Sequence, residues 1–225
     1  MSLFFCIIIE YNANILFFGG ILIKKVLDVF GISEMTANFK NVRTITLTAV
    51  LIALTIVGNG PAQIIVIPPD FLIIRFGFIF LASIAFLFGP SVAFAAGFIT
   101  SMLTAVLFPT GGNLGFNPLF DLNAGLAGIL YAVFLYRRNY KSEYFVIWIV
   151  AAKFAINLIC NIFINTYLIR GYVGSLAEII TITRVFKNIV LLPGEIIVML
   201  IVIKYIAAAA QKYKFIKPPK ILKKT

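Results

Sequence analysis

The chain has 225 residues, of which 62% are hydrophobic and 12% are charged, and its formal net charge is +11 at pH 7. A soluble domain is about 45–50% apolar and about 25% charged, so the polar residues here are too few to cover a water-soluble fold of this size. The composition therefore predicts an integral membrane protein.

Several chemistries are excluded by residues that the sequence lacks. It contains no histidine, which removes histidine-based zinc sites and nucleophilic triads that depend on histidine. Its two cysteines, Cys6 and Cys160, form no C-x-x-C pair, so the sequence supports neither a disulfide scaffold nor a zinc module. No G-x-x-x-x-G-K-[ST] run is present, so we expect no ATPase in this chain. We also expect no cofactor and no metal.

Residues 1–23 form an apolar run that Glu10, Asn12 and Asn14 interrupt. We interpret residues 1–34 as a poorly integrated N-terminal extension. A seventh helix, an interfacial segment and an upstream translation start, with Met35 opening the protein, are the alternatives. A cleaved signal is disfavoured because no basic residues precede the apolar run.

Six apolar stretches of membrane-spanning length follow this extension. They occupy residues 43–58, 73–88, 91–108, 118–136, 144–169 and 185–206. Gly89-Pro90 alone separates the second stretch from the third, so these two helices must be antiparallel neighbours. We find no internal repeat. The sequence predicts one all-α, six-helix membrane domain over residues 35–210 and a basic tail over residues 211–225.

The basic residues are concentrated on one side of this predicted bundle. Four precede the first span, three separate the fourth and fifth spans, and seven lie between Lys204 and Lys224, whereas the outward loops contain only Arg170. The positive-inside rule then places both termini in the cytoplasm. Juxtamembrane lysines contact anionic lipid headgroups, which explains the net charge better than nucleic-acid binding. The outward loops are residues 59–72, 109–117 and 170–183.

Span five carries a polar stripe in an otherwise apolar helix. Lys153, Asn157, Asn161 and Asn165 recur every four residues, a spacing that puts side chains on one helical face. Lys153 is about nine residues from the cytoplasmic end of its span and Glu195 about ten from that of span six, so the two can meet. We interpret them as a structural ion pair, because a lone charge in the bilayer is costly. A transport role is the alternative.

A second set of polar residues lies near the outer ends of four spans. If their side chains converge, they form a pocket for an anionic small molecule with a hydrogen-bond donor edge and a flat ring. The alternative is that they are separate helix-end groups facing the headgroups. The polar candidates are Arg75, Asp121, Asn123, Asn161, Asn165, Arg184, Lys187 and Asn188. The aromatic candidates are Phe76, Phe78, Phe116, Phe120 and Tyr167.

Small residues recur at four-residue spacing in three spans, which lets helices approach closely. In spans three and four this spacing favours packing inside the bundle. In span one, Ala49 and Ala53 form the same pattern, and internal packing and partner contact are both open. The other members are Ala93, Gly97 and Ser101 in span three and Ala124 and Gly128 in span four.

Three stretches, 73–112, 116–138 and 157–196, together resemble the substrate-binding S component of energy-coupling factor (ECF) vitamin transporters, and most of all its folate family. The resemblance covers residues of about 40–206. The pattern R-x-x-K-N-x-x-x-L-P, which begins at Arg184 and ends at Pro193, is its most specific part. The extension before Met35 has no counterpart in the family.

The resemblance implies a six-helix bundle of the bacterial plasma membrane that binds a vitamin in its outer half, under extracellular loops. Such a component is not an enzyme. It docks on a membrane coupling subunit driven by two cytoplasmic ATPases and topples in the membrane to release the vitamin inside. An A-x-x-x-A motif on the first helix is typical of the docking face, and Ala49 and Ala53 match it.

The segment that opens span four departs from the family. It reads N-P-L-F-D-L-N, where the family has P-G-F-T-L-S, and so adds the carboxylate of Asp121. In the leading hypothesis Asp121 binds the aminopyrimidinone edge of a pterin, while Arg75, Arg184 or Lys187 holds the ligand carboxylates. The alternatives are another vitamin or precursor, such as hydroxymethylpyrimidine or pantothenate, and a non-transporting membrane scaffold. An intramembrane enzyme is disfavoured, since Asp121 and Glu195 lie at different depths.

Overall fold

The computed structural model describes residues 42–62, 64–67, 72–108, 117–173 and 176–213. The predicted N-terminal extension, Phe116 and most of the basic tail lie outside these residues. The predicted domain boundaries therefore stay predictions.

The described chain is almost entirely helical. Helix α1 spans Val42–Asn59, α2 Gly77–Phe88, α3 Pro90–Leu107 and α4 Pro118–Leu135. Helix α5 (Phe145–Ile156) continues through a π-helix (Asn157–Ile164) into α6 (Asn165–Val173), and α7 spans Leu176–Lys212. Five of these helical stretches are long and apolar enough to cross a membrane, whereas α2 is apolar but has 12 residues. The fold is a helical membrane bundle, and the six-span count stays a prediction.

A short antiparallel ribbon precedes α2, and the all-α prediction missed it. Strand β1 (Ile64–Ile67) pairs with β2 (Leu72–Ile74). Both strands are rich in isoleucine, whose branched side chain favours an extended backbone. The predicted second span began at residue 73, but β2 takes the first residues of that stretch. Helix α2 therefore begins at Gly77, and Arg75 lies in the link before it and not within a helix.

Two other predicted spans are longer in the structure. Helix α7 begins at Leu176 and not at residue 185, and it passes through Pro193 without ending. The α5–α6 stretch reaches Val173, so Arg170 belongs to a helix and not to a loop. Both extensions lie on the side of the bundle where the sequence predicts outward loops.

Helix α2 lies at the centre of the bundle. It packs against α1, α3, α4 and α7, and every residue from Leu81 to Phe88 is buried. A helix that is apolar on all sides is expected to be enclosed by others. Gly89, at φ 85°, ends α2, and Pro90 starts α3 with a preset helical φ. The predicted tight turn between the two helices is therefore present.

Helices α3 and α4 approach each other at backbone contact. A Cβ atom on Gly97 would collide with the carbonyl of Ala124, and one on Gly128 would collide with the carbonyl of Ala93. The small residues that the sequence shows at four-residue spacing thus form this contact. The contact begins at Ala124, about one turn after Asp121 on α4.

Candidate functional site

The helices enclose a cavity of about 320 Å³, within the usual size range of small-molecule sites. Residues from α1 to α6 line it, including apolar side chains such as Phe78, Leu81 and Phe120. Convergent polar groups in such a cavity are typical of a binding site. The polar lining residues are Thr55, Asn59, Arg75, Thr100, Ser101, Thr104, Asp121, Asn123, Tyr131, Lys153, Asn161 and Asn165.

The first turn of α4 supplies the cavity's acidic group. Asn117 caps this helix, since its side-chain oxygen accepts a hydrogen bond from the Leu119 N–H at 2.9 Å, and Pro118 follows at the first helical position. The helix dipole favours a carboxylate in this turn. Asp121 is 1% exposed, and its Oδ2 has no hydrogen-bond partner among the described residues. A ligand N–H donor would satisfy this oxygen.

Two asparagines, one on α4 and one on the π-helix, line the same cavity. Asn123 Nδ2 donates to the Cys160 carbonyl at 3.2 Å, and Asn161 Nδ2 donates to Asn157 Oδ1 at 2.9 Å. Each of these amides uses one of its two N–H donors inside the protein, and each also has a carbonyl oxygen that can accept a hydrogen bond. Asn123 Oδ1 is buried, and in the described part of the chain it has no partner. Short π-helical segments are frequent at functional sites.

The structure brings Lys153 and Glu195 together. Lys153 Nζ lies 3.1 Å from Glu195 Oε2, and the two side chains are 5% and 18% exposed. The same Nζ lies 3.5 Å from the centre of the Phe78 ring, in the geometry of a cation–π contact. Lys153 also lines the cavity. Lys153 therefore lines the same cavity as the outer polar set, although the sequence interpretation separated the two by depth.

The predicted site residues divide into three groups. Arg75, Asp121, Asn123, Asn161 and Asn165 all line the cavity. Of the side chains that the structure describes, those of Phe76, Lys187 and Asn188 are partly buried but are not among the lining residues, and Tyr167 is 80% exposed. The side chain of Arg184 and all of Phe116 lie outside the described part.

A family profile described as the substrate-specific component of ECF transporters matches residues 43–217. The chain belongs to this family. It is 28% identical over 126 residues to the folate transporter FolT of Clostridium novyi (strain NT), covering 56% of this chain and 69% of the relative. A crystal structure of FolT bound with folic acid matches its fold with a TM-score of 0.59 at 26% sequence identity, covering 79% of this chain and 97% of that one. The predicted resemblance is thereby confirmed, and the family is one of transporter components and not of enzymes.

This S component has cavity residues that the sequence interpretation missed. Thr55 Oγ1 donates to the Leu51 carbonyl at 2.7 Å, and Thr104 Oγ1 donates to the Thr100 carbonyl at 2.6 Å. Their protons are used within their own helices, so the hydroxyls face the cavity as acceptors. Thr100 and Thr104 are four residues apart, and that spacing in an apolar helix was the available signal. Tyr131, 1% exposed, carried no such signal.

Proposed function

We propose that this S component binds folate, or a pterin vitamin closely related to it, for ATP-driven uptake across the bacterial plasma membrane. The observation that carries the proposal is the buried, unpartnered Oδ2 of Asp121 in a cavity that Arg75 and Lys153 also line. The similarity to FolT, which a crystal structure shows bound with folic acid, supports the same ligand class.

The chemistry of the cavity suits the two ends of folate. An aminopyrimidinone edge presents N–H donors, and Asp121 Oδ2 and Asn123 Oδ1 are acceptors without partners among the described groups. The glutamate end is anionic, and the Arg75 guanidinium is a planar donor suited to carboxylates. Charge-assisted hydrogen bonds of both kinds are stronger than hydrogen bonds between neutral groups.

We propose that six helices span the membrane, with both termini in the cytoplasm and the cavity in the outer half. Asp121 lies in the first turn of α4 and Arg75 lies two residues before α2, on the side where the connecting segments lack basic residues. The basic residues follow α4 and α7 at the opposite side. The positive-inside rule supports this orientation.

We further propose that α1 docks on a membrane coupling subunit that two cytoplasmic ATPases drive. Ala49 and Ala53 are exposed on α1, as a docking face requires. Their small side chains allow close approach of a partner helix.

A ligand panel tests the proposed function. Purified protein is titrated with folic acid, thiamine, pantothenate, riboflavin and hydroxymethylpyrimidine, and we expect folic acid to bind tightest. Tighter binding of another vitamin would leave the family assignment intact and would show that this vitamin, and not folate, is the substrate. If no ligand binds below about 1 mM, equivalent to about 4 kcal/mol of binding free energy, the proposal is wrong.

A further inference from the structure

We propose that Lys153 is a specificity-determining residue that donates a hydrogen bond to an oxygen acceptor of the ligand at the deep end of the cavity, with Glu195 as its positioning partner. This inference rests on the proposed function. It replaces the purely structural role that the sequence favoured for the pair.

The ammonium group of Lys153 retains a donor for the ligand. A lysine ammonium has three N–H donors. The Glu195 carboxylate lies 3.1 Å from Nζ and the centre of the Phe78 ring lies 3.5 Å from it, so two protein partners share three donors. Since Lys153 lines the cavity, a ligand acceptor inside it can take the remaining donor.

The helix geometry places Lys153 deep in the cavity. Asn123 Nδ2 donates to the Cys160 carbonyl, which puts those two residues at one level. Lys153 is seven residues from Cys160 along the α5–π-helix stretch, a distance of about 10 Å at the rise of an α-helix. Tyr131 lies about 12 Å from Asn123 along α4 by the same rise. Lys153 and Tyr131 thus form the floor, below the acceptors of Asp121 and Asn123.

The charge of the floor selects the chemistry that it binds. The acceptors at the α4 end require donors on the ligand, whereas an ammonium requires an acceptor. Folate has two kinds of oxygen that can act as this acceptor, namely the 4-oxo group of the pterin ring and the glutamate carboxylates. A hydrogen bond to a charged donor is strong and directional. A ligand with an amino group beside the Lys153 ammonium would place two donors together, so no hydrogen bond could form between them.

Glu195 acts through Lys153. It lies on α7, and it is not among the described residues that line the cavity. Its carboxylate balances the charge of the ammonium, and a buried ammonium without a partner is costly. Glu195 therefore holds the charged amine in place for the ligand and does not itself contact it.

The test compares Lys153→Met with wild type against three ligands. These are folic acid, its 4-amino analogue, and pteroic acid, which lacks the glutamate. We expect one of two affinity ratios, folic acid over the 4-amino analogue or folic acid over pteroic acid, to change by about tenfold or more, the effect of one charge-assisted hydrogen bond. A change in the first ratio identifies the ring carbonyl as the acceptor of the Lys153 hydrogen bond, and a change in the second identifies the glutamate carboxylate. Lys204→Met, at an exposed position of α7, is the matched control and leaves both ratios unchanged.

A change below tenfold in both ratios overturns the inference, because a structural pair affects all three ligands equally. The proposed function fails separately, if wild-type protein does not bind folic acid. Should Lys153→Met not fold, the double variant Lys153→Met, Glu195→Gln leaves no buried unpaired charge, and the same two ratios decide. Lys153→Arg keeps the charge and should preserve the ratio that Lys153→Met changes.

Discussion

Asp121 combines deep burial with an oxygen that no described group satisfies. A buried acceptor without a donor lowers the stability of the folded protein by about 1–3 kcal/mol. The protein without a bound ligand therefore lacks this stability, and a ligand donor restores it. The position of Asp121 in the first turn of α4 reduces the cost, since the helix dipole favours negative charge there. A substitution that keeps the shape of the Asp121 side chain and removes its charge therefore tests its role.

Asp121→Asn should weaken folic acid binding by about tenfold or more, because a carboxylate acceptor is replaced by a neutral amide. Isothermal titration of the purified variant measures the loss. Glu143→Gln makes the same chemical change at an exposed loop position and should bind like wild type. Equal affinity of Asp121→Asn and wild type would show that Asp121 does not contact the ligand.

Among single residues, the sequence predicts the contact between buried charged groups best. Lys153 and Glu195 were matched by their depth along two helices, and the structure brings them to 3.1 Å. The sequence does not predict Thr55 and Thr100 as site residues, because threonines in an apolar helix commonly bond to carbonyls of their own helix, as these two do. Which threonines face a cavity depends on helix rotation, and one sequence does not determine that rotation.

The α3–α4 contact is the most sensitive packing at the scale of elements. Gly128→Ala places a methyl group against the Ala93 carbonyl, and overpacking of this kind costs about 1–3 kcal/mol. We expect a lower midpoint of thermal unfolding in detergent and weaker folic acid binding, since α4 carries Asp121. Gly194→Ala is the matched control, because nothing lies within 4 Å of its added Cβ. An unchanged midpoint for Gly128→Ala would mean that the two helices separate without cost.

The π-helix and the β-ribbon show which elements a sequence pattern misses. The predicted polar stripe from Lys153 to Asn165 assumes α-helical rotation, but Asn157–Ile164 is π-helical and turns less per residue. No residue type marks that change, since it arises from backbone pairing. The ribbon did have a signal, the isoleucine-rich β1 sequence followed by Pro68-Pro69, but apolar β-branched runs resemble buried helix segments when read by hydropathy alone.

The distribution of charge over the whole molecule predicts its orientation. Green fluorescent protein fused after Thr225 should fluoresce, because it matures in the cytoplasm, and alkaline phosphatase fused there should be inactive. Phosphatase fused after Phe116, in a predicted outward loop, should be active. The reverse pattern would place the cavity on the inner side and contradict uptake from outside. The expectation follows from the basic residues after α4 and α7.

The proposed docking face and the cavity lie on different sides of α1, so we expect partner docking and substrate binding to be separable by mutation. Ala49 and Ala53 lie on the exposed face of α1, whereas the α1 residues Thr55 and Asn59 line the cavity. Replacing both alanines by leucine should leave folic acid affinity unchanged in purified protein. In cells that also express the coupling subunit and both ATPases, folate uptake should fall by about tenfold or more, since overpacking at a close helix contact costs about 1–3 kcal/mol.

The matched control for this docking variant is Ala208→Leu, at an exposed position of α7. It adds the same bulk to a different face and should support normal uptake. Normal uptake by the α1 variant would exclude this face as the docking surface, whereas loss of uptake in both variants would indicate a general intolerance of bulk in the membrane. If only the α1 variant loses uptake and still binds folic acid, then α1 faces the ligand with one side and the partner with the other.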